Sequence, residues 1–257
     1  MAQERCYKTE AIVLRKTKLG ERDLIVTTIA SHGGLVRAVA KGARKPGGSY
    51  AAKLELFGCV DLMLAKGRNL DVITDARFAP GFPLHNYGLE QSACAAVVAE
   101  LLSVICQEGL EHPRLYELSK AAFLALSESD CKTAVSITAA ALVKIVSTAG
   151  FRPSLDRCQA CGSPIPIDSN IGEVFFSVED GGATCSECVR LSEGYFVDAS
   201  VLAWTKALLY SRFGEIGNSN IDVSTSFSVL LFLKPWIEHH CGCSLKSLSY
   251  LLSCGLF

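Results

Sequence analysis

The sequence predicts an α+β protein with an N-terminal β-barrel and a larger all-α domain that carries an inserted four-cysteine ribbon. Five short β-rich runs fill the first 80 residues, and helical spacing of apolar residues follows. Two Cys-x-x-Cys pairs interrupt the helical part at about 155–192. With 257 residues, 49% of them hydrophobic, the chain can bury the cores of two domains. We place these domains at 1–80 and 81–257.

Five segments of the first domain are predicted to be strands: 7–14, 24–29, 35–40, 54–64 and 70–77. The Gly-rich turn at 31–34 is typical of a hairpin between the second and third strands. Gly58 predicts a bend in the fourth. Five short strands in about 70 residues fit a small closed barrel, and the OB-fold is the common barrel of this size that binds oligonucleotides.

The second domain is predicted to contain six helices, at 89–106, 115–126, 133–148, 199–213, 226–241 and 245–252. Gly150 is a predicted C-cap, and Pro235 is expected to interrupt the fifth helix. The longest apolar runs, 93–106 and 227–233, are too short to span a membrane. Residues 1–10 lack the apolar core of a signal peptide. We therefore expect a cytosolic protein with reduced or metal-bound cysteines.

Cys158, Cys161, Cys185 and Cys188 form the strongest local motif in the chain. Each Cys-x-x-Cys turn can direct two thiolates towards one ion, and four sulfurs complete a tetrahedral structural zinc site. The intervening 23 residues slightly exceed the usual spacing of up to about 20. Gly162 suits the tight turn of such a motif. A redox dithiol and plain core packing are the alternatives. The other eight cysteines are interpreted as core residues.

No catalytic motif is recognised, so an enzyme is not predicted. His239, His240, Cys241 and Cys243 could form a second metal cluster, but a polar helix end followed by a Gly turn is favoured. A thiol- or zinc-dependent enzyme is disfavoured because four cysteines leave no open coordination position for a water molecule.

Charge is unevenly distributed along the chain. Residues 1–80 contain 14 Lys and Arg against 8 Asp and Glu, whereas residues 81–257 contain 11 against 18. Basic side chains of a barrel can follow a phosphate backbone, although a solvated surface is the common alternative. Tyr50 is the candidate for base stacking, and Phe57 is assigned to the core. The candidate cationic contacts are Arg15, Lys16, Lys18, Arg22, Arg37, Lys41, Arg44 and Lys45.

Five short segments stand out in the sequence: Thr-Glu-Ala-Ile-Val-Leu at 9–14, Gly-Glu-Arg-Asp at 20–23, His-Gly-Gly at 32–34, Ala-Lys-Gly-Ala-Arg-Lys at 40–45, and Ala-Gly-Phe-Arg-Pro at 149–153, which leads into the first cysteine pair. Together they resemble the bacterial RecO family of recombination mediators. The resemblance implies an N-terminal OB-fold and a helical domain with one structural Zn²⁺ held by the four cysteines. It also implies DNA contacts at Arg22, Lys41, Arg44 and Lys45.

The resemblance further implies a function without bond chemistry. Such proteins bind single- and double-stranded DNA and anneal complementary strands. With RecR, they help RecA to displace single-strand-binding protein, at the nucleoid and without a membrane. The acidic tail of single-strand-binding protein docks on the helical domain, where Arg114, Lys120, Lys132 and Lys144 are candidates. The rival hypothesis is a zinc-stabilised interaction scaffold that does not touch nucleic acid.

Overall fold

The structure, a computed structural model, describes residues 6–45, 50, 52–82, 87–167, 172–189 and 193–257. The chain divides into two compact units. The first contains Met1–Gly88 and Val98–Ser127, and the second contains Leu89–Val97 and Glu128–Phe257. The first unit is thus a barrel with helical segments, and the second is a helical body with a small sheet.

The first unit is built on a five-stranded closed barrel. Its strands are β1 (Cys6–Leu19), β2 (Asp23–Ala30), β3 (Leu35–Ala40), β4 (Cys59–Ala65) and β5 (Asp71–Phe78). They close in the order β1-β2-β3-β5-β4, with β3 and β5 parallel and the other pairs antiparallel. This small closed barrel confirms the predicted OB-like architecture.

Strand β1 is longer than the apolar pattern predicts. Its register with β2 shifts between Val13 and Arg15, so Leu14 is the extra residue of a bulge. After the bulge, residues 15–19 continue as one arm of a hairpin with β2. This arm is mostly polar and exposed, which is why alternation of apolar residues could not reveal it.

The segment 54–58 was expected to be strand but forms a turn. Phe57 has a positive φ of 67°, and its N–H donates to the carbonyl oxygen of Val13 at 2.8 Å. Its ring is buried and stacks on Phe123 at a centroid distance of 5.6 Å. Packing with a residue distant in sequence therefore offsets the cost of this conformation and confirms the core assignment of Phe57.

Two helices follow the barrel in the chain, α1 (Leu89–Ile105) and α2 (Pro113–Glu128). The part of α1 from Val98 onwards and nearly all of α2 belong to the first unit. Helix α2 is fixed to β1 through the Glu10 carboxylate. The Tyr116 hydroxyl donates to Glu10 Oε1 at 2.5 Å, and Lys120 Nζ donates to the same oxygen at 2.6 Å. The Cys59 thiol lies 3.4 Å from the Tyr116 hydroxyl. The result is a charge-assisted polar cluster that joins β1 and β4 to α2.

Besides the first part of α1, the described residues of the second unit form five helices and a three-stranded sheet. The helices are α3 (Cys131–Thr148), α4 (Ala199–Tyr210), α5 (Phe213–Ile216), α6 (Val223–Cys241) and α7 (Lys246–Ser253). The strands are β6 (Glu173–Ser177), β7 (Gly182–Thr184) and β8 (Tyr195–Asp198), in the order β7-β6-β8. Asp130, Asp198 and Asp222 cap α3, α4 and α6 by accepting backbone N–H groups.

Helix α3 is the core of the second unit, and residues 134–143 are all buried. Among the described residues, it is the one helix long and apolar enough to cross a membrane, by length and composition only, but 67% of that window is buried within the protein. The apolar runs identified from sequence did not include it because Lys132 and Lys144 lie within it. Its burial is that of a core helix.

Helix α6 runs continuously through Pro235, so the expected interruption was wrong. Pro235 removes a donor to the carbonyl four residues earlier, that of Leu231. Leu231 lies on the exposed side of the helix, where water can satisfy this carbonyl. The helix ends at Gly242, whose φ of 66° is the left-handed conformation typical of a helix C-cap.

The Glu10 cluster gives a test of stability. Partial burial raises the pKa of Glu10, but hydrogen bonds from Lys120 and Tyr116 outweigh it and hold the pKa below its ordinary value of 4.5. The stabilisation is therefore complete above pH 4.5 and is lost as the pH falls through the folded-state pKa. We expect Glu10→Gln to reduce the free energy of unfolding by about 1 kcal/mol at pH 7, as measured by urea denaturation.

The difference between Glu10→Gln and the native protein should shrink as the pH falls below 4.5. Glu55→Gln is the matched control because it removes the more exposed ion pair with Lys16, at 3.0 Å. We expect this control to change the free energy of unfolding by less than about 0.5 kcal/mol. A pH-independent loss in Glu10→Gln would contradict the electrostatic explanation.

Candidate nucleic-acid interface and metal centre

The four predicted cysteines lie together in the second unit. The Sγ atoms of Cys158, Cys161, Cys185 and Cys188 are all within 4.8 Å of one another, and those of Cys161 and Cys185 are 3.7 Å apart. Ligands about 2.3 Å from a tetrahedral zinc ion would be separated by about 3.8 Å. The cluster therefore has the composition and spacing of a four-thiolate metal site.

Two tight turns bring these thiols together. The Gly162 N–H donates to the carbonyl of Cys158 at 2.9 Å, and Gly162 has a positive φ of 74°. In the second turn, the Cys188 N–H donates to the carbonyl of Cys185 at 3.0 Å. The prediction of a positive-φ glycine in the first turn is therefore confirmed.

The metal site is anchored to the helical body through the small sheet. Phe176 of β6 is fully buried, with its ring centroid 4.8 Å from Phe232 and 5.8 Å from Trp236, both on α6. The Trp236 indole N–H donates to the carbonyl of Phe151 at 2.8 Å. Residues 168–171 and 190–192 of the predicted ribbon lie outside the described residues.

The local electrostatics favour thiolate at one ligand and oppose it at another. Burial raises the pKa of Cys158, but N–H groups of Cys185, Cys161 and Ala160 outweigh this effect and lower it to about 6. The pKa of Cys188 is raised to about 12, first by its hydrogen bonds to Cys185 and Cys161. Four thiols this close cannot all ionise without a cation, so metal binding must displace protons.

The other cysteines and histidines differ partly from expectation. Cys59, Cys94 and Cys106 are buried as predicted, whereas Cys6 and Cys131 are exposed, so a core role for these two was wrong. Both lie at the first residue of an element, where one side faces solvent. His240 Nε2 lies 3.0 Å from the carbonyl oxygen of Val178, in keeping with the interpretation of a polar helix end.

Two predicted cationic residues align in one row across three barrel strands. Arg15 of β1 pairs with Thr27 of β2, which pairs with Arg37 of β3. Cross-strand partners share a face of the sheet, and both arginines are exposed. Arg37 contacts Glu108 only at 4.0 Å in an exposed ion pair, which an external anion can replace at small cost.

Four more predicted cations meet at one end of the barrel, where the turn after β3 folds onto the β1–β2 turn. The Gly42 N–H donates to Asp23 Oδ1 at 2.8 Å, and the Arg44 N–H donates to the carbonyl of Arg22 at 3.0 Å. The Arg44 guanidinium also donates to the carbonyl of Gly20 at 3.0 Å. The exposed side chains at this end are those of Arg22, Lys41, Arg44 and Lys45. Residues 46–49 of the predicted loop lie outside the described residues.

The remaining candidates on the barrel have different surroundings. Lys16 forms an ion pair with Glu55, and Lys18 is exposed on the hairpin arm. Tyr50 packs against the barrel core and donates its hydroxyl to the carbonyl of Thr74 at 2.9 Å. Much of the Tyr50 ring is thus engaged within the barrel.

Two exposed cations of the β4–β5 turn, Lys66 and Arg68, were not predicted as contacts. In an OB barrel, the β1–β2 and β4–β5 turns flank the face of strands 2 and 3 that binds oligonucleotides. The parallel pairing of Ala38 with Asp71 brings this turn to β3. Only the strand order reveals this proximity, although the basic Lys-Gly-Arg turn itself is visible in the sequence.

Two of the four cations suggested for an acidic peptide tail have internal partners. Lys120 is bound to Glu10, and Lys144 Nζ donates to the carbonyl of Leu209 at 2.6 Å. Burial lowers the pKa of Lys144. Arg114 and Lys132 are exposed, in the first turns of α2 and α3.

Fold and site together define an OB-barrel protein whose helical domain carries a four-cysteine metal-binding site. The family models for the N-terminal and C-terminal regions of recombination protein O match residues 1–82 and 87–249. The DNA repair protein RecO of Pelotomaculum thermopropionicum is 29% identical over 95% of this chain and 93% of its own length. The chain belongs to the RecO family, and its role lies in DNA repair and recombination.

The metal centre gives a second test. Cys161→Ser removes one thiolate from the cluster, so we expect metal content, measured by plasma mass spectrometry, to fall from about one ion per chain to near zero. Thermal unfolding of the second unit should shift to lower temperature because the ribbon turns lose their cross-link. Cys131→Ser is the control, since Cys131 is exposed and outside the cluster. Full metal content in Cys161→Ser would show that the ligand set is wrong.

Proposed function

We propose that the chain is a recombination mediator that binds single- and double-stranded DNA through the cationic surface of its barrel. It anneals complementary strands and, with RecR, helps to load RecA on DNA covered by single-strand-binding protein. The observation that supports this most directly is the Arg15–Thr27–Arg37 row and the adjoining cationic end of an OB-like barrel, in a chain of the RecO family. The proposed interface comprises Arg15, Lys16, Lys18, Arg22, Arg37, Lys41, Arg44, Lys45, Lys66 and Arg68. Tyr50, the stacking candidate from the sequence, packs its ring on the barrel core and is at most a secondary contact.

The chemistry of this surface explains how one protein can accept both forms of DNA. Guanidinium and ammonium groups bind phosphate oxygens, which are the same in every sequence and strand form. Neutralising two strands at once lowers their mutual repulsion and allows complementary bases to meet. No nucleophile or open metal position is needed for that step, so the proposed activity is not enzymatic.

Zn²⁺ is the proposed occupant of the four-cysteine cluster, since soft thiolate ligands in a closed tetrahedral set favour it. It would act as a structural cross-link of the ribbon. The protein partners, including the tail of single-strand-binding protein and the functional link to RecA, rest on family membership alone. The proposed location is the cytoplasm, in association with the nucleoid.

The rival function is a zinc-stabilised interaction scaffold without direct nucleic-acid contact. The two functions differ in one measurable quantity, the dependence of oligonucleotide affinity on salt. A phosphate-binding surface gives a linear fall of log K with log salt, with a slope of about −0.7 per contact for single strands. Fluorescence anisotropy with a labelled oligonucleotide, repeated across salt concentrations, separates them. A scaffold shows no saturable binding at any salt concentration.

The loop after β3 gives the third test. We expect Lys41→Glu/Lys45→Glu to weaken oligonucleotide binding by tenfold or more and to reduce the magnitude of the salt slope by about 1.4, as two phosphate contacts are lost. Arg44 is left unchanged in this variant because its bonds to Gly20 and Arg22 hold the turn. The measurement is the same anisotropy titration.

Lys8→Glu/Arg77→Glu is the matched control. These two cations line a separate barrel groove together with Glu10, Asp61 and Asp75, where an approaching phosphate meets carboxylates. The control makes the same change in net charge, so its affinity should remain within about threefold of the native value. Equal losses in both variants would mean that net charge alone governs binding and would contradict the assignment of the loop.

A further inference from the structure

The second unit contains a polar pocket that the metal site and its helical packing do not explain. It has a volume of about 480 Å³, within the range of ligand-binding pockets. One wall is the segment 152–157, which joins the end of α3 to the first metal ligand. The other wall is formed by Lys206, Leu209 and Tyr210, at helical spacing on one face of α4. The pocket therefore lies beside the metal ribbon within the same unit.

The charge of this pocket is positive, although residues 81–257 are acidic overall. Its cations are Arg152, Arg157 and Lys206, and its one acidic side chain is Asp156. Lys206 Nζ donates to Asp156 Oδ2 at 2.7 Å, and this bond lowers the pKa of Asp156. Lys206 and Asp156 therefore offset each other, and the two guanidinium groups give the pocket its net charge.

Both arginines are exposed and held in place. Arg157 donates to the carbonyl of Gly162, in the first cysteine turn, at 3.3 Å, which leaves most of its donors available. The Arg152 guanidinium lies 5.4 Å from the centre of the Tyr210 ring and donates to the Tyr210 hydroxyl. Two oriented guanidinium groups over one cavity can bind the oxygens of a phosphate.

Tyr210 adds a feature that a simple anion site does not need. Its side chain is 61% exposed, one of the most exposed large apolar side chains in the described residues. A nucleobase can stack on such a ring, and a stacked arginine strengthens the contact. On the barrel, Phe57 is buried, Tyr7 donates to Asp71 and Tyr50 packs on the core. Phe78, at the end of β5, is exposed to a smaller extent than Tyr210, at 43%.

We propose that the pocket formed by Arg152, Arg157, Lys206 and Tyr210 is a second nucleic-acid site, one that accepts single-stranded DNA. Arg152 and Arg157 bind a backbone phosphate, and an unpaired base stacks on the exposed ring of Tyr210. Bases within a duplex are already stacked on each other, so this site distinguishes single strands, which the phosphate contacts of the barrel cannot do. The inference rests on the proposed annealing function and adds a binding site for a separate strand.

An acidic peptide is the competing occupant because its carboxylates could also bind two arginines. The exposed ring favours nucleic acid, since a carboxylate gains nothing from an aromatic face. Arginine can stack and bind phosphate with the same planar group.

Photo-crosslinking of the full-length, metal-loaded protein tests the proposal. A short oligothymidylate containing 5-iododeoxyuridine should cross-link to Tyr210, identified by mass spectrometry of the linked peptide. We expect Tyr210→Leu to abolish this cross-link and Arg152→Gln/Arg157→Gln to reduce its yield about tenfold or more. The barrel variant Lys41→Glu/Lys45→Glu should retain it. Addition of double-stranded DNA of equal length should compete weakly.

Matched controls keep each outcome interpretable. Lys234→Gln/Lys246→Gln removes two positive charges from the same unit outside the pocket and should leave the cross-link unchanged. Metal content near one ion per chain shows that Arg152→Gln/Arg157→Gln retains its folded ribbon. If that variant is folded and still cross-links with the native yield, the pocket is not the binding site. Equal displacement of the oligonucleotide by duplex and by single-stranded competitor also contradicts the proposal. The anisotropy titration of Lys41→Glu/Lys45→Glu, and not its cross-link yield, tests the proposed barrel function, so the two proposals can fail separately.

Discussion

The first unit depends on a carboxylate that joins residues more than a hundred positions apart in the chain. Glu10 accepts hydrogen bonds from Tyr116 and Lys120, and this polar cluster fixes α2 to the first half of β1. Nearby, Phe57 and Phe123 stack and bury the turn that precedes β4. The first half of β1 thus contacts α2, whereas the second half, beyond the bulge, is an exposed arm. The contact with the helix therefore limits the part of the barrel that remains available to a ligand.

Local patterns in the sequence predicted the elements whose form depends on near neighbours. The hairpin at Gly33 and the capped end of α3 at Gly150 follow from turn chemistry, and the four-cysteine cluster follows from ligand spacing. Elements determined by distant contacts were missed. The polar arm of β1 exists because β2 pairs with it, and residues 54–58 form a turn because Phe57 meets Phe123. Pro235 remains helical because the carbonyl that it frees is on an exposed side.

The same distinction applies to the candidate sites. A composition count placed positive charge in the first 80 residues, but only the strand register aligned Arg15 with Arg37 across Thr27. Likewise, only the pairing of β3 with β5 shows that the turn carrying Lys66 and Arg68 reaches β3. Sequence also could not separate cations with internal partners from available ones: Lys120 and Lys144 are tied to Glu10 and Leu209. The role of a charged side chain depends on its partners, and these come from distant parts of the chain.

The two units differ in how their aromatic rings are placed, and this difference suggests different roles in the proposed binding of DNA. The barrel presents many cations, but its tyrosines donate to Asp71 and Thr74, so the DNA contacts proposed for it would be mainly electrostatic and independent of strand form. The second unit presents few cations, yet it places two arginines in one pocket with an exposed ring. Annealing requires a protein to hold an unpaired strand until its complement arrives and then to release the product. In the proposed second site, an unpaired strand would stack on Tyr210 and would lose that contact once its bases stack in a duplex, so pairing itself would promote release.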